Sequence, residues 1–133
     1  MASLRHERRI NAPADVVWNF IARPESIVDW FPGVVSCTVE GSLRTIRLAS
    51  GIEMPEELLT IDRLQRRFAY RITAPPYRFH LGVIDVIELT EDESLCIYST
   101  TAEPDALALI IAGGTIGALA EIQRLAEAAA KGE

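Results

Sequence analysis

The sequence predicts an α+β domain in which one antiparallel sheet is covered by a single long helix. Three observations carry that class. Six consecutive short runs between Val34 and Glu103 are β-branched or alternate in polarity, and turn residues such as Pro32-Gly33, Gly41, Gly51 and Pro75-Pro76 punctuate them. One strand-like run and two short helical runs come before them. A helix of about 25 residues, Ala106 to Lys131, follows. Consecutive short strands favour antiparallel pairing, and a long helix with an apolar face must then cover the sheet. The 133 residues suffice for one hydrophobic core, and without an internal repeat or linker the chain reads as a single domain, 1–133.

Leu4 to Asn11 is the first expected strand. "NAPADVVWNFIA" then opens a helix: Pro13 suits a first turn, Asp15 complements the positive helix start, and Val17, Phe20 and Ile21 share one face. "RPESIVDW" forms a second short helix that stops at Pro32-Gly33. Strands are expected at Val34–Glu40, Leu43–Ala49, Met54–Ile61, Arg66–Thr73, Phe79–Leu89 and Leu95–Glu103. Pro104-Asp105 begins the last helix, with the Asp105 carboxylate placed to accept from free N–H groups.

Composition removes several function classes. Nineteen acidic against thirteen basic residues leave a net charge of −6, and the short cluster "RHERR" is interrupted by Glu7, so nucleic acid is not an expected partner. "MASLRHERRI" lacks an apolar run and does not resemble a secretory signal. Cys37 and Cys96 sit apart with no ligand spacing, which points to reduced, packed thiols, a cytoplasmic setting, and neither a metal nor a cofactor. The uncharged stretch "ALALIIAGGTIGALA" would span only about 22 Å as a helix, short of a bilayer core, and is expected to be buried rather than to cross a membrane.

Order and motifs together resemble a known superfamily. "INAPADVVWNFIARPESIVDWFPGVVSCTVEG", then "RLASGIEMPEELLTID" and "RRFAYRI", are similar to START-like (SRPBCC) proteins, most of all to the polyketide cyclase/dehydrase branch. The carrying residues are Pro13, Val17, Trp18, Trp30, Pro32, Gly33, Arg47, Gly51, Glu56 to Leu58, Arg67 and Tyr70. The resemblance covers about the whole chain and implies a helix-grip fold: a curved seven-stranded sheet wrapped round the last helix, with a cavity between them. "SGIE" (Ser50–Glu53) also resembles the gate loop of plant abscisic-acid receptors, although Glu53 replaces a proline, and Pro75–Phe79 falls where their second mobile loop lies.

The segment "GIEMPEELLTID" places a carboxylate beside apolar neighbours on either face of a strand, because Glu56 alternates with Met54 and Leu58 while Glu57 alternates with Leu59 and Ile61. Alternation alone does not choose between them; the resemblance puts Glu56 on the concave face. It extends the lining through Ile46, Leu48, Met54, Leu58, Phe68, Tyr70 and Ile72, and on through His80, Gly82, Ile84, Val86, Cys96, Tyr98 and Thr100. Trp30 is a candidate for the cavity mouth or for a core plug, and Trp18 for helix-to-sheet packing. The turns at 62–65 and 74–78 put Glu56, Ile72 and His80 in one row, so Glu56 and His80 are expected roughly 10 Å apart, room for a ligand or two waters. A buried carboxylate needs a partner or a proton, so Glu56 is expected to show a raised pKa or to meet a base such as Arg47 or Arg71. The plainer alternatives are an exposed Glu56, a wet strand-end His80, and core tyrosines at 70 and 98.

Gly113, Gly114 and Gly117 lie inside the last helix, where each costs about 1 kcal/mol relative to alanine, so a close approach by a ligand or backbone is expected, with Gly114 a candidate lining residue. Leu107, Leu109, Ile110 and Ile111 surround its first turns with apolar surface, which suggests a homodimer contact through 106–116. Three functions follow. The first is binding of a hydrophobic or aromatic small molecule, lipid- or polyketide-like, with Glu56, His80 or Tyr98 meeting its polar end. The second is a cyclase or dehydratase using Glu56, His80 and Tyr98 as acid–base groups. The third is a protein-interaction module.

Overall fold

A computed structural model describes all residues, Met1 to Glu133. Its elements run β1 (Ala2–Ile10), α1 (Ala14–Ile21), a 3-10 turn (Pro24–Ser26), α2 (Ile27–Trp30), β2 (Val34–Glu40), β3 (Leu43–Leu48), β4 (Glu53–Asp62), β5 (Arg67–Ile72), β6 (Phe79–Thr90), β7 (Glu93–Glu103) and α3 (Asp105–Ala130). The strands form one antiparallel sheet in the order β1-β7-β6-β5-β4-β3-β2, the expected α+β helix-grip arrangement. Every strand lies within two residues of its expected bounds. The first strand starts earlier than its apolar pattern suggests, because Ala2 and Ser3 pair with Ala102 and Thr101 at the far end of β7.

The helix starts differ from expectation. Pro13 occupies the cap position before α1 rather than its first turn, and Pro104 does the same for α3. Asp105 is therefore inside the helix and caps nothing; its carboxylate instead lies 3.0 Å from the terminal amine of Met1. It still favours the positive end of α3.

A stripe of mostly small side chains, Ala108, Ala112, Thr115, Ala118, Leu119, Ile122 and Ala126, buries the inner face of α3. Alanines at this spacing let the helix lie close on the sheet, and its neighbours there are β1 and β7. The other half of the concave sheet, β3 to β5, is left without that cover. α1 and α2 close the core from one end with Val17, Trp18, Ile21, Ile27 and Trp30, all buried. Away from the sheet α3 exposes Leu109 and Ile116, at 61 and 49%, and Ile110, 69% exposed, sits at the edge of the uncovered half.

The helix-interior glycines resolve into two kinds. A Cβ at Gly114 would come 3.0 Å from the Phe31 ring and one at Gly117 would come 3.1 Å from Pro32, whereas Gly113 faces open space. The groups that approach Gly114 and Gly117 are thus side chains of the turn after α2 rather than another backbone.

Candidate functional site

Where α3 leaves the sheet uncovered, a cavity of about 340 Å³ opens between β3, β4, β5, the turn after α2 and the first half of α3. Eleven of its sixteen lining residues are hydrophobic, which makes it suited to apolar matter. Of the candidate residues, Ile46, Leu48, Met54, Glu56, Tyr70, Ile72 and Gly114 line it. Trp30, Leu58, His80, Tyr98 and Thr100 do not, and each has a physical reason.

Trp30 is a core plug: its indole N–H donates to the Phe20 carbonyl at 3.0 Å. Leu58 packs against the core beside the β4 bulge that separates it from Thr60. Tyr98 is sealed behind Tyr70, the two hydroxyls hydrogen-bonded to each other, with Phe31 and Trp30 edge-on at 6.4 Å. Thr100 is buried opposite Gly82 on β7, under the half of the sheet that α3 covers.

His80 keeps the expected row but not the expected exposure. Glu56 pairs with Ile72, and the His80 Nδ1 accepts the Ile72 N–H at 2.9 Å, so the side chain continues the β5–β6 ladder past its last regular pair, Tyr70 and Gly82. The rings of Tyr70 and Tyr77 lie over it at centroid distances of 5.5 and 5.6 Å, which shuts it off from the cavity. Burial holds its pKa down at about 4. The expected open path from Glu56 to His80 is filled by aromatic rings.

Glu56 is 2% exposed and faces the cavity. Its partner is neither Arg47, which is exposed, nor Arg71, which binds Glu57 on the other face at 2.7 Å. It is Arg44, directly opposite in the β3–β4 register. Arg44 Nε donates to Glu56 Oε1 at 2.8 Å, Nη2 lies 2.7 Å from the same oxygen, and Nη1 donates to the Pro24 carbonyl at 3.0 Å. The guanidinium stacks between Phe68 and Tyr70, 5.2 and 4.9 Å from their centroids. Burial pushes the Glu56 carboxyl up, as expected, and Arg44 offsets only part of that rise. A guanidinium does not lose its proton, so the contacts hold the two as an ion pair. Arg44 was legible: it alternates with Ile46 and Leu48 and so points to the concave side.

The lining also takes in Ile27, Phe31, Pro32, Gly33, Ala49, Ser50, Tyr77, Ile110 and Ile111. Ala49 and Ser50 belong to the β3–β4 turn, where Ser50 opens the segment that resembled a gate loop, and Tyr77 to the β5–β6 turn, which falls where a second mobile loop was expected. Gly51 sits in the first at φ +91°, a conformation that suits glycine.

Gly82 shapes the wall from behind. A Cβ there would fall 2.6 Å from Tyr70 Cζ, and the ring cannot yield freely because Tyr98 holds its hydroxyl and Arg44 its face. Gly82→Ala is expected to cost about 1–3 kcal/mol in chemical denaturation and to push Tyr70 toward the cavity. An unchanged denaturation midpoint would show the ring to be free to move.

The model of a protein family described as polyketide cyclase / dehydrase and lipid transport matches residues 1–129. Among solved structures, XoxI of Bacillus cereus is similar at 26% identity and TM-score 0.87, covering 93% of this chain and 94% of that one. A putative uncharacterised protein of Bacillus thuringiensis is similar at 26% identity and TM-score 0.85, with 92% and 97% covered. The di-domain aromatase/cyclase BexL, from the BE-7585A biosynthetic pathway, shares the fold at 20% identity and TM-score 0.78, with 96% of this chain and 47% of that one covered. No curated protein matches.

Proposed function

The chain belongs to the polyketide cyclase / dehydrase and lipid transport family of START-like proteins, and from that premise we propose that it binds a hydrophobic or aromatic small molecule in the cavity between β3–β5 and α3. The observation that carries this reading is an apolar hollow with one buried carboxylate at its wall. A volume near the lower end of known small-molecule pockets, about 300–1,000 Å³, suits a ligand of one or two rings. A cyclase or dehydratase reading would need Glu56, His80 and Tyr98 to reach one substrate. Only Glu56 lines the cavity, and its carboxylate is already engaged by Arg44, which favours binding over acid–base chemistry.

The test is titration with the uncharged fluorophore N-phenyl-1-naphthylamine, alongside native mass spectrometry of freshly purified protein. We expect saturable, blue-shifted fluorescence that Leu48→Trp, which fills the cavity, weakens at least tenfold. A protein that neither carries a small molecule nor takes up the probe lacks this function.

A further inference from the structure

Resting on that binding reading, we propose that the Arg44–Glu56 pair sets the ligand class: an uncharged molecule that donates a hydrogen bond through a hydroxyl or neutral N–H, with carboxylates and other anions refused.

The charges at the wall argue for it. Glu56 is the sole carboxylate among the lining residues, which include no lysine, arginine or histidine. Arg44 does not line the cavity. It is 1% exposed: Nε donates to Glu56 Oε1, Nη1 to the Pro24 carbonyl, and Nη2, which makes no hydrogen bond, is buried beside the same Oε1, so no donor of Arg44 faces the cavity. No hydrogen bond from the protein reaches Glu56 Oε2, while both contacts from Arg44 fall on Oε1. Oε2 therefore keeps the small accessible surface of Glu56 and is free to accept, and a ligand O–H or N–H would take it up with a charge-assisted bond.

The hydroxyls do not reverse this polarity. Tyr70 is committed to Tyr98. Ser50 and Tyr77 remain, one on each mobile-loop candidate, and either is a neutral donor too weak to offset an anion brought against Glu56 in an apolar wall. A charged ligand of either sign pays to leave water for an apolar wall, and a cation recovers only part of that cost from a carboxylate that already holds a counter-ion. What is left is a neutral donor.

The experiment displaces N-phenyl-1-naphthylamine from the intact protein with three matched naphthalenes at pH 7.5: naphthalene, 2-naphthol and 2-naphthoate. We expect 2-naphthol to compete at least tenfold more tightly than either of the others. In Glu56→Gln the positive charge of Arg44 loses its counter-ion, so 2-naphthoate should gain and 2-naphthol lose, narrowing or inverting the ratio. Equal competition by all three, or a preference for 2-naphthoate, in the wild-type protein overturns the ligand class, and this comparison stands even if Glu56→Gln does not fold. Failure of the fluorophore itself to bind would instead remove the binding function on which the class rests.

Discussion

Arg44→Met is expected to destabilise the protein by about 3–5 kcal/mol, read as a shift of the urea-unfolding midpoint. The guanidinium is 1% exposed, and its removal leaves Glu56 buried without a counter-charge and the Pro24 carbonyl without a donor. It also takes away the cation held between Phe68 and Tyr70. For a domain of this size that loss is a large share of a total stability of about 5–15 kcal/mol. The physical content lies in the double variant. Arg44→Met together with Glu56→Leu removes both charges, and because burying an ion pair costs about as much as its attraction returns, most of the stability should come back. A single variant that loses less than about 1 kcal/mol, or a double variant no better than the single, would mean that water reaches the pair.

Lowering the pH from 7 to 4 should destabilise the wild-type protein by about 3 kcal/mol more than His80→Gln. His80 is neutral in the fold: Nδ1 accepts the Ile72 N–H, and burial holds its pKa down at about 4, below the ordinary value of 6.5. Between those values the unfolded chain binds the proton and the folded one does not. The stabilisation is therefore complete above about pH 6.5 and is lost as pH falls through about 4. Protonation would also turn the acceptor into a donor aimed at another N–H. Surface carboxylates titrate as well, among them Glu127, held low by the Asn11 N–H, but they do so equally in both proteins and cancel in the difference. Urea midpoints taken across this range provide the comparison. Parallel pH profiles would place His80 in contact with solvent.

Much of this architecture was legible residue by residue. The strands could be bounded because glycines, prolines and the acidic turns interrupt alternating runs, and those signals are local. The row of Glu56, Ile72 and His80 followed from two turn positions, because antiparallel register propagates from the turn. Choosing Glu56 over Glu57 took the family resemblance, since Leu58 and Leu59 are both apolar and the bulge after Leu58 breaks the period. Arg44 was overlooked although its own alternation places it inward; an arginine on an apolar face is so costly alone that it reads as exposed until the carboxylate opposite is known. The misplaced cap at Asp105 is a one-residue matter: Pro104 takes the cap position in extended backbone and moves the aspartate into the helix.

The sequence by itself determined the order of elements, an antiparallel sheet covered by its last helix, and a carboxylate beside apolar neighbours on β4, because each depends on spacing along one strand or helix. The curvature and the choice of Glu56 came with the family resemblance. Only the tertiary structure decided which polar residues meet the hollow. His80 and Tyr98 share the inner face with Glu56, yet the rings of Tyr70 and Tyr77 and the seat of α3 on β1 and β7 close them off. Facing inward is a property of the strand, whereas facing a cavity depends on what packs above it, and side chains far apart in the chain supply that cover.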